Sequence, residues 1–248
     1  MSFKDKNIIV TGSNRGLGRV AVEAFAATGA NVWACARKPS DAFEADMKAL
    51  AEKYDVRIEP VYFDLTDAAA VKAGIMQIAS GKLTVDVLVN NAGMPYGGLM
   101  MTTPIDKLRE VFEVNYFSQI RIMQMVGKLM MRQKSGSIVN IASVGGIETT
   151  PGYLAYGSSK AALIWATKMI AKELAPFGIR VNAVAPGLAK TDMGGYKSSD
   201  ELEKTIARTA LKRMAEPREI VDGILYLASD KASFVTGTVL QIDGGRAI

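Results

Sequence analysis

The 248-residue sequence contains no histidine. Serine–histidine–aspartate and cysteine–histidine nucleophilic machinery are therefore excluded, as is histidine-ligated zinc. Any acid–base chemistry falls to tyrosine, lysine, aspartate or glutamate. Cysteine is almost absent as well. The single Cys35 cannot form an internal disulfide, and in the run VWACA it reads as a small buried strand residue, which suits a reducing, cytoplasmic setting. The N-terminus, MSFKDKNIIV, is charged and passes directly into a short apolar run, unlike a signal peptide. No apolar stretch approaches the length of a membrane span. Long runs of one charge are also missing. The net charge of +5 is scattered, which gives no aromatic–basic stripe for nucleic acid and leaves only a mild attraction for an anionic cofactor or acidic carrier.

What is present is a regular alternation of strand-like and helix-like segments. A hydrophobic fraction of 49% beside 22% charged residues is enough for a substantial core. Asn7 to Thr11 is a β-rich run that enters the glycine turn TGSNRGLG, and a helical pattern from Arg19 closes at Gly29. Strand, glycine turn and helix together are the setting of a dinucleotide-binding turn, in which backbone N–H groups at a helix start meet a pyrophosphate. A second strand, Asn31 to Ala36, ends at Arg37. An acidic residue at this place would take ribose hydroxyls, whereas arginine accommodates a 2′-phosphate, so Arg37 with Arg15 favours NADP over NAD. Helical spacing over Asp41 to Tyr54 leads to a third strand, RIEPVYFDL, where Pro60 requires an unpaired or irregular position. Asp64 then serves either as an acceptor for the adenine amino group or as a cap for the next helix, Thr66 to Ala79.

The buried strand of VDVLVNNAG follows, with Asn90 expected to brace the sheet. Pro104 to Lys134 reads as one long helical region with an unexpected amide, Asn115, whose roles are a buried structural amide or part of a proton relay. Its methionines read as core or subunit contact. Ser137 to Ala142 forms strand five, Leu154 to Pro176 a helix, and Ile179 to Ala185 strand six. A polar segment at about 188–215 has the composition of a substrate lid. The helix Pro217 to Ala228 and the strand of TGTVLQIDGG finish the chain. There is no linker or repeat, so residues 1–248 form one doubly wound α/β domain with helices on both faces. Its ligands belong at the carboxyl ends of parallel strands.

Between strand five and the following helix lies SVGGIETTPGYLAYGSSK. Tyr156 and Lys160 are four residues apart, which places phenol and ammonium on one helical face. An ammonium near the phenol would favour phenolate, bringing a pKa of about 10 closer to neutrality, and Ser143 could hold a carbonyl oxygen beside it. The same spacing also describes an ordinary surface pair, and Tyr153 is a second phenol in the same stretch.

These residues resemble a family, the short-chain dehydrogenases/reductases, over essentially the whole chain. The resemblance is carried by TGSNRGLG, Asp64, NNAG, Asn115, Ser143, Tyr156-x-x-x-Lys160 and PGLAKT, in that order, and is greatest toward 3-oxoacyl-acyl-carrier-protein reductases. It implies a Rossmann-type seven-stranded parallel sheet of order 3-2-1-4-5-6-7. It implies that Tyr156, not Tyr153, is the proton donor in reduction, that Lys160 lowers its pKa and binds the nicotinamide ribose, that Ser143 orients the carbonyl, and that Asn115 holds a relay water. It places NADPH along Gly12, Ser13, Asn14, Arg15, Gly16, Leu17 and Gly18, then Arg37, Asp64 and Leu65, with Asn91, Ala92 and Gly93 beside the adenosine. Pro186, Gly187, Leu188 and Thr191 would hold the carboxamide. The implied substrate is a ketone or acyl thioester, with acyl carrier protein as a possible partner in a homotetramer. An alcohol, sugar or polyol dehydrogenase and a non-catalytic NADP sensor are the alternatives. Where carrier-binding members hold arginines, this chain has Lys134 and Phe177.

Overall fold

The computed structural model describes residues 1–191 and 199–246. Strand β1 (Asn7–Thr11) is buried at every residue, which is why it reads as a continuous apolar run rather than an alternation. Its side chains nevertheless divide by twos: Ile8 and Val10 enter one core, and Ile9 enters the other. β2 (Asn31–Ala36) does the same, with Val32 and Ala34 on one face and Trp33 and Cys35 on the opposite face. Both faces of the sheet are thus covered.

The remaining strands are β3 (Ile58–Tyr62), β4 (Val87–Asn90), β5 (Gly136–Ile141), β6 (Ile179–Pro186) and β7 (Val239–Ile242). All pair in parallel, in the order β3-β2-β1-β4-β5-β6-β7. This is the expected sheet. Strand order reverses between β1 and β4, so the crevice at their carboxyl ends is open to a ligand. Pro60 lies on β3, the edge strand, where its missing N–H costs no ladder bond on the outer side.

Helices α1 (Gly16–Ala26), α2 (Asp41–Tyr54) and α8 (Pro217–Ala228) cover one face, and α3 (Ala68–Ser80) and α5 (Ser118–Gln133) cover the other, joined by α6 (Leu154–Leu174). Local chemistry fixes several starts. Ser40 caps α2 by accepting the Phe43 N–H, and the Asp67 carboxylate accepts the N–H groups of Ala69 and Ala70 at the start of α3. Most boundaries shift by one or two residues from the sequence reading, and three differences are larger. α1 begins at Gly16, inside the glycine turn, because glycines that disguise helical pattern here form its first turn. The region Pro104 to Lys134 is α4 (Ile105–Phe112), a π-helical turn at Glu113–Phe117, and α5. The lid segment includes α7 (Ser199–Ala207), where Leu202, Thr205 and Ile206 share a half-buried side; its residues 192–198 lie outside the described residues.

Candidate active site

At the end of β1, Thr11 organises two turns at once. Its Oγ1 accepts the N–H groups of Asn91 and Ala92, each at 3.0 Å. Asn91 returns the contact, its Nδ2 donating to the carbonyls of Thr11 at 2.9 Å and Gly12 at 3.2 Å. The glycine turn after β1 and the NNAG turn after β4 are therefore one rigid rim. Glycine is required where they touch: Gly12 has φ +68°, and a Cβ there would lie 2.9 Å from the Ala92 Cα, while a Cβ on Gly18 would overlap the Gly12 carbonyl. Thr11 was not singled out in the sequence, although its place at a strand end facing an amide-rich turn is a usable signal.

All the expected cofactor contacts except Ser13 and Gly18 line one cavity of about 680 Å³, within the range of a small-molecule site. Ser13 is fully buried, its hydroxyl donating to the Val10 carbonyl and its N–H to that of Cys35, so it supports the turn from behind. Gly18 serves by lacking a side chain. At the far end of the cavity Arg37 follows β2, in the place where an acidic residue would receive ribose hydroxyls. Asp64 nearby accepts from the N–H and hydroxyl of Thr66; these bonds, with the charges of Arg37 and Lys38, hold its carboxyl below the usual range. The residues fit NADP(H): a glycine rim stripped of side chains, then a cation at the adenosine end.

The reacting end is built from β5 and α6. Ser143 lies just past β5, and its Oγ accepts the Gly145 N–H at 3.0 Å. The Ser143 hydroxyl and the Tyr156 phenol, which stands in the first turn of α6, line the same cavity and interact. Tyr153 also lines the cavity, its ring packed edge-on against Tyr156 at 5.9 Å. One turn further, Lys160 is 4% exposed, with Nζ donating to the Ile141 carbonyl at 2.7 Å and 6.0 Å from the Tyr156 ring centre. A Cβ on Gly93 would lie 3.1 Å from Asn115 Oδ1, so the glycine lets that buried amide sit close against the turn.

Burial pushes the Tyr156 phenol above its ordinary value, the Ser143 hydroxyl offsets this in part, and Tyr153 adds to the rise. The Lys160 ammonium donates to the Ile141 carbonyl. Burial pushes Lys160 itself down to about 8. Of the two readings for Asn115, its side chain makes the contacts of the buried structural amide. Oδ1 accepts the Met94 N–H at 2.8 Å, and Nδ2 donates to the Met94 carbonyl and to Ser159 Oγ. The amide is fully buried and does not line the cavity, so it acts as a brace. It sits in the π-helical turn, the kind of local expansion that recurs near functional sites. Asn90 braces as expected, donating to Asn140, which in turn donates to Thr167.

A strand-order crevice rimmed by glycines, ending in a Ser–Tyr pair with a buried lysine, defines a dinucleotide-dependent oxidoreductase. Comparison with known proteins agrees. The family model described as enoyl-(acyl carrier protein) reductase matches residues 12–247. The chain is 37% identical to a 3-oxoacyl-(acyl-carrier-protein) reductase of Thermotoga maritima, with 100% of both chains covered. It is 34% identical to the enzyme of that name from Escherichia coli over 99% of this chain and 98% of the other. Among solved structures, a 3-oxoacyl-(acyl-carrier protein) reductase from Brucella melitensis superposes with a TM-score of 0.88 at 31% identity, covering 100% of this chain and 93% of that one. A candidate gluconate dehydrogenase from Agrobacterium tumefaciens superposes at 0.94 with 28% identity, covering 99% and 97%. The chain belongs to the short-chain dehydrogenase/reductase family. It is an NADP-dependent oxidoreductase.

Proposed function

We propose that this chain is an NADPH-dependent carbonyl reductase acting on 3-oxoacyl thioesters to give the 3-hydroxy products. The observation that carries the chemistry is the placing of Ser143, Tyr156 and buried Lys160 on one cavity that begins at the glycine rim. A dinucleotide held along the glycine rim of Gly12, Gly16 and the NNAG turn would supply hydride to the carbonyl carbon. Ser143 and Tyr156 hold the carbonyl oxygen from one side, and Tyr156 gives it a proton as negative charge develops there. A phenol whose pKa is pushed up is fully protonated at neutral pH, the form a donor needs. Lys160, at about 8, exchanges protons near neutrality and is placed to resupply the site. Support for the thioester comes from the names of the 34–37% identical relatives.

An alcohol, sugar or polyol dehydrogenase is the second reading, favoured by the 0.94 superposition. Acyl carrier protein is the proposed donor of the thioester. At the corresponding surface, Phe177 is 38% exposed, and Gly178 beside it closes directly onto the Lys134 carbonyl. One cation there implies weaker carrier binding than an arginine pair would give. No helix among the described residues is long and apolar enough to cross a membrane, and a cytoplasmic enzyme is the matching proposal.

The test follows NADPH absorbance with acetoacetyl-coenzyme A, beside NADH and beside Tyr156→Phe. Turnover with NADPH should exceed that with NADH and fall at least a hundredfold in Tyr156→Phe, with NADPH binding retained. Tight NADPH binding without thioester turnover would move the assignment to other ketones.

A further inference from the structure

The end of the described chain returns to the reacting end of the cavity. After β7, Gly244 and Gly245 take φ of +66° and +70°, and their carbonyls accept the N–H groups of Leu211 and Ala210. A Cβ on Gly244 would lie 2.8 Å from Thr209 Cγ2, so the close approach depends on glycine. This turn delivers Arg246 into the wall of the cavity that holds Ser143 and Tyr156. Its Nε lies 3.0 Å from Glu148 Oε2, in the segment between Ser143 and Tyr156, and the two side chains are 10% and 6% exposed. The pair is close but poorly aimed. Neither carboxylate oxygen of Glu148 nor Arg246 Nε makes a hydrogen bond, and the guanidinium's other contact is Nη2 to Thr150 Oγ1 at 3.4 Å.

Buried polar atoms left without hydrogen bonds call for an explanation. A guanidinium has five N–H donors, and here most are uncommitted on a wall of the substrate space. Glu148 already balances its charge. A carboxylate ligand would bring a second negative charge into a poorly solvated place, whereas a neutral carbonyl oxygen asks only for a donor. We infer that Arg246, balanced by Glu148, is a substrate-reading residue. It donates hydrogen bonds to an uncharged second oxygen of the substrate, such as the thioester carbonyl, and so selects oxo-thioesters and oxo-esters over plain ketones and free oxo-acids. This deepens the proposed reductase reading and rests on it for the reacting carbonyl.

The experiment compares kcat/KM for acetoacetyl-coenzyme A, ethyl acetoacetate, acetoacetate and 2-hexanone in the wild type, Arg246→Met and Glu148→Gln, with NADPH affinity measured for each. The wild type should prefer the two esters. Arg246→Met should lower kcat/KM for both esters tenfold or more, leave 2-hexanone within twofold, and keep NADPH affinity. Glu148→Gln, which leaves the guanidinium unbalanced, should shift the ratio of acetoacetate to ethyl acetoacetate at least fivefold toward the anion. Equal losses on esters and 2-hexanone in Arg246→Met, or an unchanged ratio in Glu148→Gln, would overturn the inference. Wild-type turnover of 2-hexanone with none of the esters would overturn it together with the thioester reading. Ester turnover that Arg246→Met leaves untouched would overturn it alone.

Discussion

Lys160 carries a charge that the fold does not welcome. Its folded pKa of about 8 lies below the ordinary 10.5, so between those values the native protein binds fewer protons than the unfolded chain. Stability therefore rises with pH across that window, with a slope approaching about 1.4 kcal/mol per pH unit, and the cost of the buried ammonium is fully present below pH 8. In Lys160→Met this rise should vanish. Urea midpoints from pH 8 to 9, below most of the tyrosine titration near pH 10, will read the difference; parallel curves for the two proteins would contradict it. Sequence pattern located Lys160 and Tyr156 correctly on one helical face. It gave no sign of the backbone carbonyl of Ile141 that accepts from the ammonium, because no side-chain spacing reveals a backbone acceptor. Arg246 was equally hidden: nothing in an arginine after two glycines tells that it lines the cavity wall.

Among the elements, β-strands were the most legible, since a strand buried on both faces must be apolar throughout and few other segments are. Helix starts were less so. α1 begins on glycine, and the π-helical turn interrupts a region whose apolar spacing continues across it, because Asn115 is paid attention only by the distant Met94 backbone and Ser159. The end of α8 shows a second long-range device. Arg180, on β6, donates to the carbonyls of Leu227 at 2.7 Å, Ala228 at 3.2 Å and Ser229 at 3.1 Å. A cation thus satisfies the last carbonyls of the helix and meets the negative end of its dipole. α8 contributes Ile220, Val221 and Ile224 to the core shared with α1, so loosening its end disturbs that layer. Arg180→Met keeps most of the aliphatic stem and deletes the donors. The expected loss is about 2–4 kcal/mol, or roughly 5–15 °C in the thermal midpoint. A shift under 2 °C in scanning calorimetry would show that water replaces the guanidinium without cost.

On the molecule as a whole, several large apolar side chains lie outside both cores. Trp165 and Met169, 66% and 43% exposed, follow each other at i, i+4 on α6, and Phe117, half exposed, belongs to the neighbouring π-helical turn. Phe234, fully exposed, stands in the segment before β7. Single exposed apolar residues are ordinary, but an exposed apolar stripe on one helix beside an exposed aromatic on the neighbouring element marks an interface. With Phe234 as a point on a second contact, this suits a closed assembly with two kinds of two-fold contact, the arrangement of a D2 tetramer. The proposed homotetramer therefore makes a graded prediction. Light scattering at micromolar concentration should give four times the chain mass for the wild type. Trp165→Glu with Met169→Glu places carboxylates in the first contact, and Phe234→Glu places one in the second. Each of these variants should stop at dimers, and all three substitutions together should give monomers. A monomeric wild type would refute the assembly, and a tetramer that survives the α6 substitutions would place its interfaces on other faces of the protein.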